Sequence, residues 1–341
     1  MLVFTIRRIV MMIPVLIGAS LLAFVLVSVS GDPVADQVFI LEQSTGEPVP
    51  QETVDNIKER LYYDRSLPER YWLWLTGIGE TNGDIGLLQG EWGPSIEGSA
   101  IDVGEEIGSR FWITLRLVLF ATVASIAIAI LTGVVSAVKQ YSKVDYLLTF
   151  IGFLALSMPT FWFGLLMKEA AVQTNNAIGS TFFQTYRDST RGFHGNGWEV
   201  FLDAIPYLII PTIVLMLTGY AAMSRYQRAS MLEVLNSDYV RLARAKGVRN
   251  GTVMRRHALR TALIPVATFA PLGLATAMGG SLVIERIFGW RGLGAFAYDA
   301  ITHNDAFAVL GYLFISGVIV LIGILISDLM YGVLDPRIRY E

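Results

Sequence analysis

Six long apolar stretches constrain this chain more than any other feature. A membrane-spanning helix needs about 20 mostly apolar residues. The stretches of about that length are Ile9–Ser30, Ile113–Val138, Tyr146–Met167, Pro206–Met223, Leu263–Ile284 and Phe307–Val333. Only 16% of the residues are charged, whereas soluble domains average about a quarter. The sequence therefore predicts an all-α polytopic membrane protein with six transmembrane helices in one domain, residues 1–341.

The distribution of charge along the chain predicts which segments lie on each side of the membrane. Segment 31–110 holds sixteen acidic and five basic residues, a net of −11, whereas loop 224–262 holds nine basic and two acidic residues, a net of +7. Positively charged loops remain in the cytoplasm. Six spans that start inside place loop 224–262 and both termini in the cytoplasm, and segments 31–110, 168–205 and 285–306 outside. The other basic residues on the cytoplasmic side are then Arg7, Arg8, Lys139, Lys143, Arg337 and Arg339.

The first apolar stretch has an alternative interpretation as a signal peptide. Arg7 and Arg8 precede it, and Ser28 and Ser30 have the spacing of a cleavage site. The apolar run is longer than the 7 to 15 residues that are typical of a signal peptide. A membrane helix is therefore the favoured interpretation.

The long outer segment has helical periodicity in two places, Val54–Leu61 and Pro68–Leu75. Trp72 and Trp74 are suited to the membrane interface. We expect short helices and turns on the outer face. The fifth span is rich in Gly, Ala and Pro, which permits close helix packing, so we expect it to be central in the bundle.

The basic loop 224–262 contains the signals of a short, well-capped helix. Ser237 and Asp238 suit an N-terminus, and Gly247 suits a C-terminus after a basic last turn. The sequence predicts a helix over about Asp238–Lys246 and a second helix from Thr252 through Arg260. An ordinary basic cytoplasmic loop explains the charge but not this helix.

One face of the predicted helix carries small residues. Val240, Ala243 and Gly247 follow one another at helical spacing, and Arg241 and Arg244 flank them. Such a face permits close backbone docking into the groove of a partner.

The loop and its surroundings resemble the permeases of ABC importers, in particular the dipeptide, oligopeptide and nickel branch. The coupling motif of that branch is similar to Asp238-Tyr-Val-Arg-Leu-Ala-Arg-Ala-Lys-Gly247, followed by Arg256-His-Ala-Leu-Arg-Thr-Ala-Leu-Ile-Pro265. The general motif begins Glu-Ala-Ala, whereas this chain has Arg241-Leu-Ala243. Further similar motifs are Gly31-Asp-Pro33, Leu61-Tyr-Tyr-Asp-Arg-Ser-Leu-Pro68, Gly83-Asp-Ile-Gly86, Glu285-Arg-Ile-Phe-Gly-Trp-Arg-Gly-Leu-Gly294 and Asp328-Leu-Met-Tyr-Gly-Val-Leu-Asp-Pro-Arg337.

The resemblance implies a type I ABC-importer permease in the cytoplasmic membrane of a prokaryote. Such a chain is not an enzyme and binds no cofactor, since ATP and Mg belong to separate ATPase subunits. The chain itself has no phosphate-loop motif. The implied partners are a second homologous permease, two ATP-binding subunits, an extracytoplasmic substrate-binding protein, a peptide substrate and the lipid bilayer, but no nucleic acid and no metal.

The resemblance also implies which residues couple the chain to an ATPase. The expected contact residues are Asp238, Tyr239, Val240, Arg241, Ala243, Arg244, Ala245, Lys246 and Gly247. Candidates for the translocation path are Met158, Pro159, Trp162, Ser281 and Glu285, each with structural packing as an alternative. Glu285 is expected at the outer boundary, as a gate, a binding-protein contact or an interfacial anchor.

Other protein classes fit less well. A polytopic metalloenzyme is disfavoured, because His194, His257 and His303 fall on different predicted sides and cannot share one metal. An ion-coupled secondary carrier would usually show internal repeats and acidic residues near span centres. A pure assembly or receptor role needs no coupling helix. The cargo stays open between peptides, nickel, haem and other small solutes. Segments 34–56, 87–105 and 168–200 match the family least and are interpreted as variable outer loops.

Overall fold

The computed structural model describes residues 2–79, 83–98, 101–193 and 195–334, and the chain in these ranges is predominantly helical. Arg337, Arg339 and His194, which entered the topology and metal arguments above, lie outside the described residues. The helices are α1 (Leu2–Ser30), α2 (Pro33–Thr45), α3 (Gln51–Arg60), α4 (Leu67–Thr76), α5 (Val103–Val138), α6 (Lys143–Ser157), α7 (Thr160–Ile178), α8 (Gly197–Leu235), α9 (Asp238–Ala245), α10 (Asn250–Thr252), α11 (Leu259–Ala262), α12 (Ile264–Gly280), α13 (Leu282–Phe288), α14 (Leu293–Thr302) and α15 (Ala306–Leu334). A π-helical segment, Val253–Ala258, joins α10 to α11. A short antiparallel hairpin pairs β1 (Ile85–Gly86) with β2 (Glu91–Trp92).

Among the described residues, four helical segments are long and apolar enough to cross a membrane: Val3–Thr45, Val103–Val138, Gly197–Leu235 and Ala306–Leu334. Two bent helix pairs raise the number to six if each pair is one span. The six apolar stretches of the sequence therefore correspond to these four segments and two pairs. The helices extend beyond the apolar stretches, because a helix continues past the lipid into polar surroundings.

The third predicted span is not one straight helix. It divides into α6 and α7, which meet at an angle of 104°. Met158 is extended, with φ −84° and ψ 124°, and Pro159 precedes the first turn of α7. The ring of a proline disfavours helical backbone at the residue before it, so the α6 helix ends there. The span predicted over Tyr146–Met167 therefore contains a break that the sequence analysis did not predict.

The fifth predicted span is interrupted as well. α12 ends at Gly280, and α13 begins after Ser281. The segment before it, Asn250–Ala262, bends by 44° relative to α12. Span five therefore consists of short helical pieces, as its glycines and prolines permit.

The chain divides into two compact units. Unit 1 is Met1–Thr5, Leu115–Trp290 and Ile322–Glu341, and unit 2 is Ile6–Thr114 and Arg291–Leu321. In unit 1, α8 is central, because α6, α7, α11, α12 and α13 all pack against it. Whether the two units together form one membrane domain stays a prediction.

Unit 2 contains the acidic outer segment. α3 and α4 confirm the two short helices predicted there, and α2 and the hairpin are additional elements. The core of this unit packs residues of α1, α4 and α15 together, including Phe24, Leu73 and Phe307. Trp72 is exposed and fits the membrane interface, but Trp74 is fully buried in this core. The interfacial role predicted for Trp74 is therefore wrong, since neighbours i and i+2 of a helix point in different directions.

Candidate functional site

The helix predicted in the basic loop is present as α9, Asp238–Ala245. Lys246 is its C-cap, and Gly247 follows with φ +74°. The amide of Gly247 donates to the carbonyl of Arg244 at 3.0 Å, and the amide of Val248 donates to the carbonyl of Ala243 at 3.3 Å. This pair of bonds is the Schellman motif, which ends a helix on a left-handed residue. The predicted C-terminus is confirmed to within one residue.

The N-terminus of α9 is where the sequence predicts it, although the cap differs. Ser237 has the extended backbone of an N-cap, but its side chain makes no capping bond to α9. Its hydroxyl donates instead to the carbonyl of Val234 in the last turn of α8, at 2.6 Å. Ser237 thus fastens the α8–α9 turn rather than the first turn of α9.

The small-residue face of α9 packs against the chain itself. Val240 is fully buried, and Ala243 is half-buried beside it. Their neighbours come from α5, α8, the π segment and α11, namely Ala137, Met231, Val234, Val253, Ala258 and Ala262. Val240 therefore cannot reach a partner's groove, and that part of the prediction is wrong, whereas the docking of the half-buried Ala243 stays a prediction.

The opposite face of α9 is exposed and carries two large side chains. Tyr239 is 45% exposed and Leu242 is 56% exposed, one turn apart. Arg241, Arg244 and Lys246 surround them, and all three are exposed. An exposed Tyr and Leu within a cationic rim have the composition of a protein interface, where aromatic and apolar anchors are surrounded by charge.

Gly247 has a left-handed backbone conformation and lies at an exposed position. A Cβ atom built on Gly247 meets no other atom within 4 Å. Its positive φ is nevertheless unfavourable for a β-branched residue. The predicted capping role of Gly247 is confirmed, and its contact with a partner stays a prediction.

The second predicted helix of the loop is present but irregular. α10 begins at Asn250, two residues before the expected Thr252, and the π segment Val253–Ala258 interrupts regular α-helix. Such π segments concentrate at functional sites, because the widened turn offsets the side chains that follow. Here Val253 and Ala258 from the π segment complete the buried core beneath α9.

A cavity of 780 Å³ lies within unit 1, between α5, α7, α8, α12 and α13. Its walls are mostly apolar, and none of its described lining residues carries a charge. The glycines of span five, Gly273 and Gly280, lie in the wall contributed by α12. The expectation that span five is central is supported by this placement. The full lining is Val118, Ala121, Thr122, Ser125, Ile126, Thr160, Phe161, Leu215, Thr218, Gly219, Ala222, Met223, Tyr226, Phe269, Ala270, Leu272, Gly273, Thr276, Ala277, Gly280, Val283 and Ile284.

The polar groups of the cavity are hydroxyls. The Oγ1 atoms of Thr160 and Thr218 lie 3.1 Å apart and join α7 to α8. Thr276 donates its hydroxyl to the backbone of its own helix, to the carbonyl of Leu272 at 3.0 Å. Neutral hydroxyls offer both donors and acceptors without imposing a charge on a bound solute.

None of the five predicted path residues is among the described residues that line this cavity. Met158 and Pro159 form the break between α6 and α7, and Trp162 is 47% exposed on α7. The lining residues of α7 are instead Thr160 and Phe161. The path role of the predicted residues stays a prediction that the cavity does not support.

Ser281 and Glu285 lie side by side but are fully buried. The Ser281 hydroxyl donates to Oε1 of Glu285 at 2.8 Å. The expectation that Glu285 lies at an exposed boundary, as an interfacial anchor or a binding-protein contact, is wrong. A buried carboxylate needs hydrogen-bond partners, and the break at Ser281 presents one.

Unit 1 also contains two ion pairs between different segments of the chain. Asp145 of α6 pairs with Arg228 of α8, and Arg116 of α5 lies 3.9 Å from Asp188. Neither pair is among the residues predicted from the sequence. The polarity of Asp145 and Arg228 within otherwise apolar helices was the available signal, since membrane helices keep charged residues only where they are paired.

Comparison with known proteins identifies the class to which this fold and these surfaces belong. Residues 129–340 match the family described as "Binding-protein-dependent transport system inner membrane component". The matched segment contains α6 to α15, and with them α9 and most of the cavity wall. The chain belongs to this family and is a multi-pass permease of the cytoplasmic membrane.

Similar curated proteins cover essentially the whole chain. The oligopeptide transport system permease protein AppB of Bacillus subtilis is 35% identical, over 99% of this chain and 99% of its own length. OppB of Mycobacterium bovis, also an oligopeptide permease protein, is 34% identical over 98% of each chain. The dipeptide permease protein DppB of Escherichia coli is 34% identical over 100% of each chain. These relatives are permease proteins rather than enzymes.

A solved structure supports the fold. The MetNI methionine ABC transporter in an inward-facing conformation contains a chain with a TM-score of 0.52 and 16% sequence identity. The match covers 67% of this chain and 96% of that chain. The fold is therefore that of type I importer permeases.

Proposed function

We propose that this chain is a permease subunit of an ATP-driven importer of di- or oligopeptides. The single observation that carries the proposal is the similarity to peptide permease proteins over at least 98% of the chain. A match of this extent includes the acidic outer segment as well as the membrane helices.

The proposed partners supply what this chain lacks. Two ATP-binding subunits bind ATP and Mg and hydrolyse ATP, a second homologous permease completes the path, and an extracytoplasmic binding protein delivers the peptide. The family description names a binding-protein-dependent system, which supports the last of these. The permease itself carries out no hydrolysis.

The exposed face of α9 is the proposed contact with an ATP-binding subunit. Tyr239 and Leu242 are the anchors, and Arg241, Arg244 and Lys246 favour an acidic groove. Asp238, Ala245 and Gly247 are exposed at the edges of the same face. Val240 and Ala243 lie on the inner face of α9 and fix this helix to α5, α8 and the π segment. A displacement of α9 is thereby passed to the helices around the cavity.

The cavity within unit 1 is the proposed contribution of this chain to the translocation path. Peptides differ in side-chain charge but share a backbone of donors and acceptors. Walls of apolar groups and hydroxyls, such as those of Thr160, Thr218 and Thr276, suit a cargo of variable sequence. A wall with fixed charges would discriminate among peptides by their net charge.

Purification of the tagged chain in mild detergent, followed by mass spectrometry of the co-purifying proteins, tests this proposal. We expect a second permease and one or two proteins with phosphate-loop motifs. The Leu242→Asp variant should lose the phosphate-loop proteins but retain the second permease, because only the α9 surface is altered. Purification of the native chain alone, with uptake driven by an ion gradient, would contradict the proposal and favour a secondary carrier.

A further inference from the structure

An ionic network with a buried carboxylate and a partly exposed arginine ties α6 to α8. Arg228 of α8 donates from Nε to Oδ1 of Asp145 and from Nη2 to Oδ2, each at 2.9 Å. The Ser136 hydroxyl of α5 also donates to Asp145, and the Nε of Arg228 lies 3.0 Å from that hydroxyl. The amide of Tyr141, in the α5–α6 turn, donates to Oδ2 at 2.9 Å. Asp145 is 3% exposed.

This network constrains the relative positions of α5, α6 and α8 more tightly than helix packing alone requires. A bidentate arginine–carboxylate pair fixes both distance and orientation. Both oxygens of Asp145 are engaged, by groups from α5, the α5–α6 turn and α8. Buried ion pairs add little net stability compared with apolar residues of the same volume, so their usual value is in specifying one arrangement.

The network lies between the two functional surfaces of unit 1. On one side, Ala137, next to Ser136, packs in the core that holds Val240 of α9. On the other side, α6 leads through the break at Met158 and Pro159 into Thr160 and Phe161 of the cavity wall. α6 contributes no residue to the core beneath α9 among those described there. The Asp145 network is the polar attachment of α6 to that core.

We propose that Asp145, Arg228 and Ser136 are positioning residues that couple the movement of α9 to the cavity wall through α6 and α7. The network makes α6 move with α5 and α8 when an ATP-binding subunit displaces α9. The break at Met158 and Pro159 then converts that movement into a displacement of α7. This inference rests on the proposed coupling role of α9.

The test compares ATP hydrolysis with peptide uptake in the purified four-subunit complex, reconstituted in proteoliposomes with its binding protein. Asp145→Asn should leave the complex assembled and hydrolysing ATP. Peptide uptake per ATP hydrolysed should fall about tenfold, a typical size for loss of one coupling contact. Unchanged uptake per ATP in the assembled variant would overturn the proposal.

A double variant separates positioning from stability. Asp145→Asn leaves the charge of Arg228 without its carboxylate, so any fall in the amount of assembled complex has to be separated from lost coupling. Asp145→Asn with Arg228→Gln removes both charges and should restore normal amounts of complex, because no uncompensated charge remains. Coupling should stay low in the double variant. Recovery of coupling together with assembly would show a purely structural role and contradict the inference.

Arg225→Gln is the matched control. Arg225 lies one turn before Arg228 on α8 and is exposed, with its guanidinium 4.8 Å from the centre of the Phe153 ring. The described residues place no carboxylate in an ion pair with it. Loss of this charge should leave uptake per ATP within about twofold of the native value, as for a surface substitution outside a network. An equal loss of coupling in Arg225→Gln and in Asp145→Asn would attribute the effect to the loss of any charge between α6 and α8 and overturn the proposal.

The test also distinguishes failure of this inference from failure of the proposed function. Leu242→Asp removes the ATP-binding subunits if α9 is the contact. If Leu242→Asp has that effect while Asp145→Asn transports normally, only the network inference fails. If Leu242→Asp leaves the complex and its uptake intact, the proposed coupling role of α9 fails first.

Discussion

The region around α9 and the region around the cavity are held together by different forces. α9 is fixed by a Schellman motif and by the buried Val240, and the helices α5, α6 and α8 beside it are joined by the network of Ser136, Asp145 and Arg228. The cavity is bounded by apolar and small residues joined by few polar contacts, such as that between Thr160 and Thr218. Directional polar contacts favour one geometry, whereas apolar contacts tolerate small displacements. The difference indicates that α9 and its supporting helices transmit movement as a rigid unit. The cavity wall can then adjust to that movement.

The largest expected effect is at the exposed face of α9. Leu242→Asp introduces a charge at the proposed apolar anchor, and we expect binding of the ATP-binding subunits to weaken by about 100-fold or more, as for an interface hot spot. Affinity measurement between the purified permease pair and an ATP-binding subunit checks this. Leu334→Asp, at the exposed end of α15 and outside the core that holds α9, is the control and should bind normally. Equal binding by native and Leu242→Asp chains would show that α9 uses another face.

The next effect separates capping from docking at Gly247. Gly247→Val places a β-branched residue at φ +74°, which costs on the order of 1–3 kcal/mol, and should reduce uptake about tenfold through loss of the α9 cap. Gly247→Asn is the matched variant, because Asn tolerates left-handed backbone. Transport by Gly247→Asn should remain close to native. A comparable loss in both variants would restore the interpretation that Gly247 allows close approach of a partner.

A smaller effect on stability is expected where α15 crosses α12. A Cβ atom on Gly323 would lie 2.5 Å from Cβ of Ala275 and 3.0 Å from the carbonyl oxygen of Pro271. Gly323→Ala should therefore destabilise the chain by about 1–3 kcal/mol through overpacking, which thermal unfolding in detergent can measure. Gly317→Ala is the control, since the nearest atom to its Cβ would be 3.7 Å away. If Gly323→Ala is as stable as the native chain, α12 and α15 can shift to accommodate the added methyl group, as the cavity wall is expected to do.

The α9 region and the cavity also differ in how far the sequence predicts them. α9 depends on local signals, Asp238 at one end and Gly247 at the other, and both ends are predicted within one residue. Its orientation is not predicted, because Val240 faces inward only once α5, α8 and the π segment surround it. Local chemistry therefore determines where the helix lies in the chain, and tertiary packing determines which face is exposed.

The individual residues that line the cavity could not be predicted from the sequences of the apolar helices. Membrane helices are apolar on all sides, so hydrophobic periodicity does not show which face lines a cavity. The predicted path residues Trp162 and Glu285 each lie one position away from a lining residue, Phe161 and Ile284 respectively. The 104° bend at Met158 and Pro159 was equally hidden, since prolines occur in uninterrupted membrane helices as well. The resemblance to peptide permeases, by contrast, predicted the family and the type I fold correctly.

The smallest expected effect is on cargo preference. Thr218→Asp places a carboxylate in a cavity wall that is otherwise uncharged, and uptake of acidic peptides should fall several-fold, by about 1 kcal/mol, relative to basic peptides. Competition between labelled acidic and basic tripeptides measures the ratio. Thr218→Val keeps the side-chain shape and should leave the ratio unchanged. A ratio that does not respond to Thr218→Asp would place the peptide path outside this cavity.

The most direct test of the central claim is ATP-dependent uptake of a labelled tripeptide by the purified complex in proteoliposomes, with native and Leu242→Asp chains compared. We predict that the native complex accumulates peptide only when ATP, Mg and the binding protein are present, and that Leu242→Asp abolishes the accumulation. Accumulation driven by a proton or sodium gradient without ATP, and unaffected by Leu242→Asp, would contradict the account.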